Sequence, residues 1–133
     1  MKKVNQFLDY ALSNPDAIVT YRASDMVLAV HSDASYLSES KARSRAGGHF
    51  FCTKDELFPA NNGAVLAVSQ IIKAVMSSAA EAELDILYIN CREAIPAHQL
   101  QEDMGCKQPP TPMLTDNTKA LGVITNTINL KIA

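Results

Sequence analysis

Three short β-rich runs, one long helical segment and a fourth β-rich run succeed one another in this sequence, and that order constrains the fold more than any single residue does. Met26 to Ser32 is apolar and β-rich, Gly47-Gly48-His49-Phe50-Phe51-Cys52 carries two aromatic residues, and Ala64-Val65-Leu66-Ala67-Val68 follows the turn residues Pro59, Asn61, Asn62 and Gly63. Short connections between three consecutive strands favour an antiparallel meander. Past the helical segment, Met113-Leu114-Thr115-Asp116 reads as a strand. A strand reached through a helical crossover runs parallel to its neighbour. The expected class is therefore α/β: a mixed sheet of three antiparallel strands and one parallel strand, with helices packed on it.

Helix signals fill the gaps. Val4, Phe7, Leu8, Ala11 and Leu12 recur at helical spacing until Asn14-Pro15, which predicts a short amphipathic helix over 3–13. Ser78-x-x-Glu81 fits a capping box, in which the serine oxygen accepts the third helical amide and the glutamate reaches back to the cap. Leu84, Leu87, Tyr88, Cys91 and Ile95 form the expected buried stripe, Pro96 is expected to kink or restart the helix, and Gly105 to stop it. Asn117 to Thr125 reads as a last helix with Ala120, Leu121 and Ile124 inward. The 133 residues make one domain, with an N-terminal helix and connection over 1–20 and a core over 21–133.

Composition narrows the setting. Twelve basic residues against 14 acidic ones leave a net charge of −2, so the sum of charges names no polyanionic partner. Cys52, Cys91 and Cys106 are an odd number without zinc-ligand spacing, and a reducing compartment is the simpler reading. The apolar stretch from Gly63 to Met76 is broken by Ser69, Gln70 and Lys73 and is too short to span a bilayer. Asn5, Gln6 and Asp9 interrupt any signal-like run after Met1-Lys2-Lys3. The expectation is a soluble intracellular protein with no membrane partner.

Three acids stand in settings that can converge. Asp33 follows an apolar strand, Glu83 lies just inside a helix start, and Asp116 ends the fourth strand, at the sheet edge where open α/β sheets place ligands. Carboxylates suit a hard divalent cation, and such a site points to phosphodiester hydrolysis. Glu81 has a capping role to fill, which leaves Glu83 free to face a ligand. Taken singly, each acid also has a simpler role: Asp33 as a turn-starting acid, Glu83 as a solvated acid favoured by the helix dipole, and Asp116-Asn117 as a cap. Lys41, Arg43 and Arg45 alternate and can present charge to phosphates, aided by Lys54 or Lys73, or can simply be a solvated loop. His31 shares a strand face with Asp33 and reads as a neighbour of the site or a core histidine.

The motifs Ser32-Asp33-Ala34, Ser77-Ser78-Ala79-Ala80-Glu81-Ala82-Glu83 and Thr115-Asp116-Asn117, in that order, resemble the ribonuclease H domain of copia-type LTR retrotransposon polyproteins. The resemblance extends from Leu8 to Leu130. It implies a ribonuclease H-like fold and cleavage of the RNA strand of RNA/DNA hybrids during reverse transcription. Asp33, Glu83 and Asp116 would hold two Mg2+ ions, with Mn2+ as a substitute. Lys41, Arg43, Arg45 and Asn117 would touch the nucleic acid. The partners implied are the hybrid and the reverse transcriptase domain of the same polyprotein, and the setting is the cytoplasm, a virus-like particle or the nucleus. Ala80 stands where the family usually has Thr, and Leu84 where it usually has Tyr. The family's pattern continues into another strand and a helix bearing a fourth acid, whereas no Asp or Glu follows Asp116. The expectation is a C-terminally truncated domain with a bare sheet edge open to homodimer pairing. The alternative function is an inactive remnant that binds nucleic acid or self-associates.

Overall fold

The computed structural model describes residues 2–56 and 58–125. Its elements are α1 (Lys2–Ser13), β1 (Val27–Glu39), β2 (Arg43–Thr53), β3 (Ala64–Ile71), α2 (Ala79–Asp103), β4 (Met113–Leu114) and α3 (Thr118–Ile124). The strands form one mixed sheet in the order β3-β2-β1-β4, with β1, β2 and β3 antiparallel and β4 parallel to β1. The sheet and its single parallel addition match the expected α/β class.

Alternation along the strands selects what faces α2. Leu28, Val30, Phe50 and Ala94 form one buried cluster, and Ala46, Ile72, Met76, Ala82 and Ile86 form another. Between the clusters the helix meets the sheet through polar atoms. Asn90, fully buried, donates from Nδ2 to Ser32 Oγ and to the Gly47 carbonyl, both at 3.0 Å. Gly48, opposite Ser32 in the register, leaves room for this amide; a Cβ there would fall on Asn90 Oδ1. Beyond α2, Gln108 ties the returning chain to β1, accepting the Leu28 amide at 3.0 Å and donating to the Met26 carbonyl at 2.8 Å.

Several elements differ from expectation for identifiable reasons. The stripe Leu84, Leu87, Tyr88, Cys91 and Ile95 is not the buried face: Leu87 is buried, but Tyr88 and Ile95 are 62% and 69% exposed and Cys91 is exposed. The buried residues are Ala82, Glu83, Ile86, Leu87, Asn90, Ala94 and Gln101. Leu87 belongs to both faces, the apolar Ala82, Ile86 and Ala94 lie off the expected stripe, and Glu83, Asn90 and Gln101 escape an apolar-only reading because they are buried by bonds to strand atoms. Pro96 does not restart the helix, because α2 runs through it to Asp103. The proline is exposed, so the carbonyl it frees one turn earlier, on the exposed Arg92, meets water. Gly105 does follow the helix end, with φ 88° and its amide on the Glu102 carbonyl. In α3, Ala120 and Gly122 are buried, whereas Leu121 and Ile124 are 49% and 57% exposed.

The β1–β2 hairpin is longer than either apolar run. Its register shifts between Ser35 and Glu39, and Leu37, Lys41 and Ala42 all have positive φ. The Leu37 amide is satisfied by Ser44 Oγ at 3.1 Å. A hairpin whose left-handed positions hold Leu, Lys and Ala carries none of the Gly or Asn signals that announce such turns. Among the described residues, no helix is long and apolar enough to cross a membrane.

Candidate metal centre

The site begins where β4 ends. Val30 donates its amide to the Pro112 carbonyl at 3.0 Å, on the β4 side of β1. Ala34, four residues on, directs its amide to the same side by the two-residue period of a strand, but β4 has stopped at Leu114. Glu83 takes the vacant place, and its Oε1 accepts the Ala34 amide at 3.2 Å. The short fourth strand thus lets a carboxylate from α2 reach the residue next to Asp33.

Helix α2 is held there by its cap. Ser78 has extended backbone angles and its side chain accepts the Glu81 amide at 3.1 Å. The reciprocal half of the capping box is shared with the preceding residue. Glu81 Oε2 takes the amide and hydroxyl of Ser77, at 2.6 and 2.5 Å, and the Ser78 amide acts on the same carboxyl more weakly. These bonds hold the Glu81 carboxyl below the usual range. Glu81 is exposed and committed to the cap, while Glu83 turns inward at 5% exposure.

Asp116 arrives from the other direction, two residues past β4. Asn117 is the cap of α3, its Oδ1 accepting the Lys119 and Ala120 amides at 3.0 Å each. The capping role considered for the Asp116-Asn117 pair therefore belongs to the asparagine. One carboxylate oxygen from each of Asp33, Glu83 and Asp116 lies within 4.8 Å of the others. Asp33 and Asp116 are exposed, and they line a cavity of about 310 Å3 with His31, Ser32, Leu114 and Thr115. A second cavity, of about 500 Å3, continues from Asp116 to Ser78, Ala79 and Ala80.

The charges at this point are out of balance. Glu83 Oε2 is buried and has no hydrogen-bond partner. Burial pushes the Glu83 carboxyl above the usual range, the Asp33 and Asp116 charges push the same way, and the Ala34 amide opposes them. A cation would supply both the missing partner and the missing charge. The all-oxygen donor set fits a hard divalent ion better than a soft one. These acids can therefore hold a metal ion.

The other residues singled out by sequence divide. Lys41 lies in the hairpin turn, outside the strand, so it does not continue a strand face with Arg43 and Arg45. Arg43 donates from Nε to the Ser40 carbonyl at 3.2 Å. Arg45 is engaged by Glu39 at 2.7 Å and by Ser69 at 3.2 Å. It pairs with Ser35, two residues along from the Asp33–Gly47 pair, which keeps the basic hairpin beside the acids. His31 packs its ring edge-on to Phe51 at 5.2 Å, and its Nε2 is buried without a partner. Burial, with His49 adding to it, pushes the His31 pKa below its ordinary 6.5. The residues sequence reasoning missed are the polar clamps Asn90, Asn62 and Gln108. Asn62 alone bonds Arg22, Cys52 and Gly63 backbone atoms. Residue type offers no signal for such roles. Comparison with family models, curated proteins and solved structures returns no match for this chain.

Proposed function

We propose that this chain is a metal-dependent endoribonuclease that cleaves the RNA strand of RNA/DNA hybrids, a ribonuclease H-like domain of copia-type retrotransposon origin. The observation that carries the reading is the meeting of ligand oxygens of Asp33, Glu83 and Asp116 within 4.8 Å, from β1, α2 and the β4–α3 connection and in the motif order on which the resemblance rests. The four-stranded mixed sheet is compatible with a ribonuclease H-like fold. The basic hairpin residues Lys41, Arg43 and Arg45 supply positive charge for the phosphate backbone.

In this mechanism Asp33, Glu83 and Asp116 would hold Mg2+, or Mn2+ in its place. Bound there, the metal supplies Lewis-acid activation of water and charge stabilisation at the scissile phosphate. Glu83 is positioned in advance by the Ala34 amide, so its ligand oxygen needs no reorganisation when the cation arrives. Exposed Asp33 and Asp116 leave the open side of the site to substrate. The Asn117 cap fixes the start of α3 beside Asp116.

The test is cleavage of the labelled RNA strand of a hybrid by the purified chain with Mg2+ or Mn2+, with Asp33→Asn as control. Metal-dependent cleavage that the variant abolishes supports the assignment. Full cleavage by the variant sinks it. A folded chain that binds hybrid without cleaving it would instead favour the inactive, nucleic-acid-binding reading.

A further inference from the structure

The tip of the β1–β2 hairpin, residues 38–45, holds Lys41, Arg43 and Arg45 and a single acid, Glu39. Glu39 faces Arg43 in the register and takes the Arg45 Nε at 2.7 Å. A further cation reaches the same carboxyl from another element. The Glu39 carboxyl is held below the usual range by the Arg45 hydrogen bond first, opposed by burial, and then by the charges of Arg45, Lys3 and Arg43. Lys3 lies in the first turn of α1, so the amino end of that helix sits beside the hairpin tip.

One carboxylate cannot neutralise all of these cations, and its hydrogen bond goes to Arg45. Lys3 is exposed and acts on Glu39 through charge alone, with no ion pair among the described residues. The amino end of a helix is also where the dipole least favours a base, and α1 has no acid in its first turn to offset the lysines there. The chain carries 12 basic and 14 acidic residues in all. Five of the bases, Lys2, Lys3, Lys41, Arg43 and Arg45, gather about Glu39, so the acidic excess falls on the rest of the chain. The net charge of −2 conceals a basic pole.

We propose that Lys3 and the amino end of α1 form one phosphate-binding surface with Lys41 and Arg43, and that duplex nucleic acid bound by the hairpin is held by the helix as well. A polynucleotide is the anion that fits. Its charges follow one another at about 3.4 Å of axis along each strand, so cations set on two neighbouring elements each find a phosphate, whereas one small anion would leave most of them unpaired. This inference rests on the nucleic-acid reading of the hairpin and adds a second element to it.

The test is the salt dependence with which the full chain binds a labelled RNA/DNA hybrid, measured in EDTA by fluorescence anisotropy. Lys3→Gln should lower the slope of log affinity against log salt by about 0.9, one phosphate contact on a duplex. Lys3→Arg should keep the parent slope. Lys107→Gln, which removes an exposed cation beside Gln108 at the far end of β1, should leave the slope unchanged. Circular dichroism of the Lys3→Gln chain should show undiminished helix, because the variant removes a charge that the dipole disfavours and α1 buries no residue. A slope that Lys3→Gln alters no more than Lys107→Gln does, while Lys41→Gln lowers it, overturns the proposal and leaves the hairpin reading standing. A chain that binds no hybrid at any salt concentration overturns both.

Discussion

Glu83 Oε1 accepts the Ala34 amide at 3.2 Å, which fixes a buried carboxylate of α2 to the strand residue immediately after Asp33. The other oxygen, Oε2, is buried without a partner. One half of this side chain is structural and the other half is left for a cation. This division leads to the first prediction. In metal-free buffer Glu83→Gln keeps an acceptor for Ala34 and replaces the unpartnered oxygen with an amide that can donate to the neighbouring carboxylates. The variant should be more stable than the parent by about 1 kcal/mol, the scale of an unsatisfied buried group relieved. Added Mg2+ should raise the melting temperature of the parent and not that of the variant. Thermal unfolding in EDTA and in Mg2+ checks both halves, and a variant less stable than the parent without metal would contradict the argument.

Gly48 and Asn90 form the second relationship on which the site depends. Asn90 is pinned by two donated hydrogen bonds, so it cannot move aside for a methyl group at position 48. Gly48→Ala should cost about 2 to 3 kcal/mol, within the range of overpacking in a well-filled core. Asn90→Ala should cost about 1 to 3 kcal/mol through the groups it leaves unpaired. Made together, the two should cost at least about 1 kcal/mol less than their sum, because the alanine at 90 removes the closest clash with the new methyl, that with the Asn90 amide, and leaves only the one with Phe50 Cε2. Denaturant unfolding of the three variants measures the coupling. Simple additivity would show that the glycine is not there for the amide.

What the sequence made legible follows from which interactions leave a pattern in residue type. The three antiparallel strands and the parallel fourth were readable from apolar, β-rich runs and the helical crossover between them, and the starts of α2 and α3 because helix caps favour Ser and Asn. Ser78 and Asn117 both occupy their cap positions. Asp33, by contrast, read as a strand-end acid, lies within β1 opposite Gly47. The buried face of α2 was not readable, since Glu83, Asn90 and Gln101 are buried by the partners they meet, and those partners lie far away in the chain. The hairpin tip was missed for a related reason. Its positive φ angles fall on Leu37, Lys41 and Ala42, residues that do not ordinarily favour them, so tertiary bonds such as that from Leu37 to Ser44 maintain the conformation.

His31 gives a pH dependence of definite sign. Its folded pKa lies below the ordinary 6.5, so the unfolded chain binds the proton more readily than the folded one does. Its contribution to stability is intact above pH 6.5 and is lost as pH falls from there through the lower folded value. Glu83 acts oppositely in metal-free buffer, because its raised pKa makes folding more favourable as pH falls toward the ordinary 4.5. The two effects separate in a Glu83→Gln background. There, stability should decline below pH 6.5, and His31→Phe, which keeps an aromatic contact with Phe51, should flatten the decline. An unchanged slope in the histidine variant would refute the assignment.

The basic hairpin offers a prediction in which structure ranks residues that composition leaves equal. Each cation that neutralises a phosphate steepens the fall of log affinity with log salt by about 0.9 on a duplex. Lys41 is exposed in the turn, and Arg43 gives its Nε to the Ser40 carbonyl and feels Glu39 only through charge, without a hydrogen bond to it. Arg45 is already neutralised by Glu39, whose carboxyl is held below the usual range first by that hydrogen bond. Lys41→Gln and Arg43→Gln should each reduce the salt slope for hybrid binding by close to a full phosphate contact, and Arg45→Gln by distinctly less. Removing Glu39 should level that ranking: in a Glu39→Gln background the Arg45 guanidinium is released and its loss should then cost a full contact as well. Fluorescence anisotropy of a labelled hybrid, titrated across salt concentrations in EDTA so that binding is measured without cleavage, supplies the slopes. Equal slopes for all the arginine and lysine variants would mean that the Glu39–Arg45 pair does not persist when nucleic acid binds. No change in any of them would remove the hairpin from the binding surface altogether.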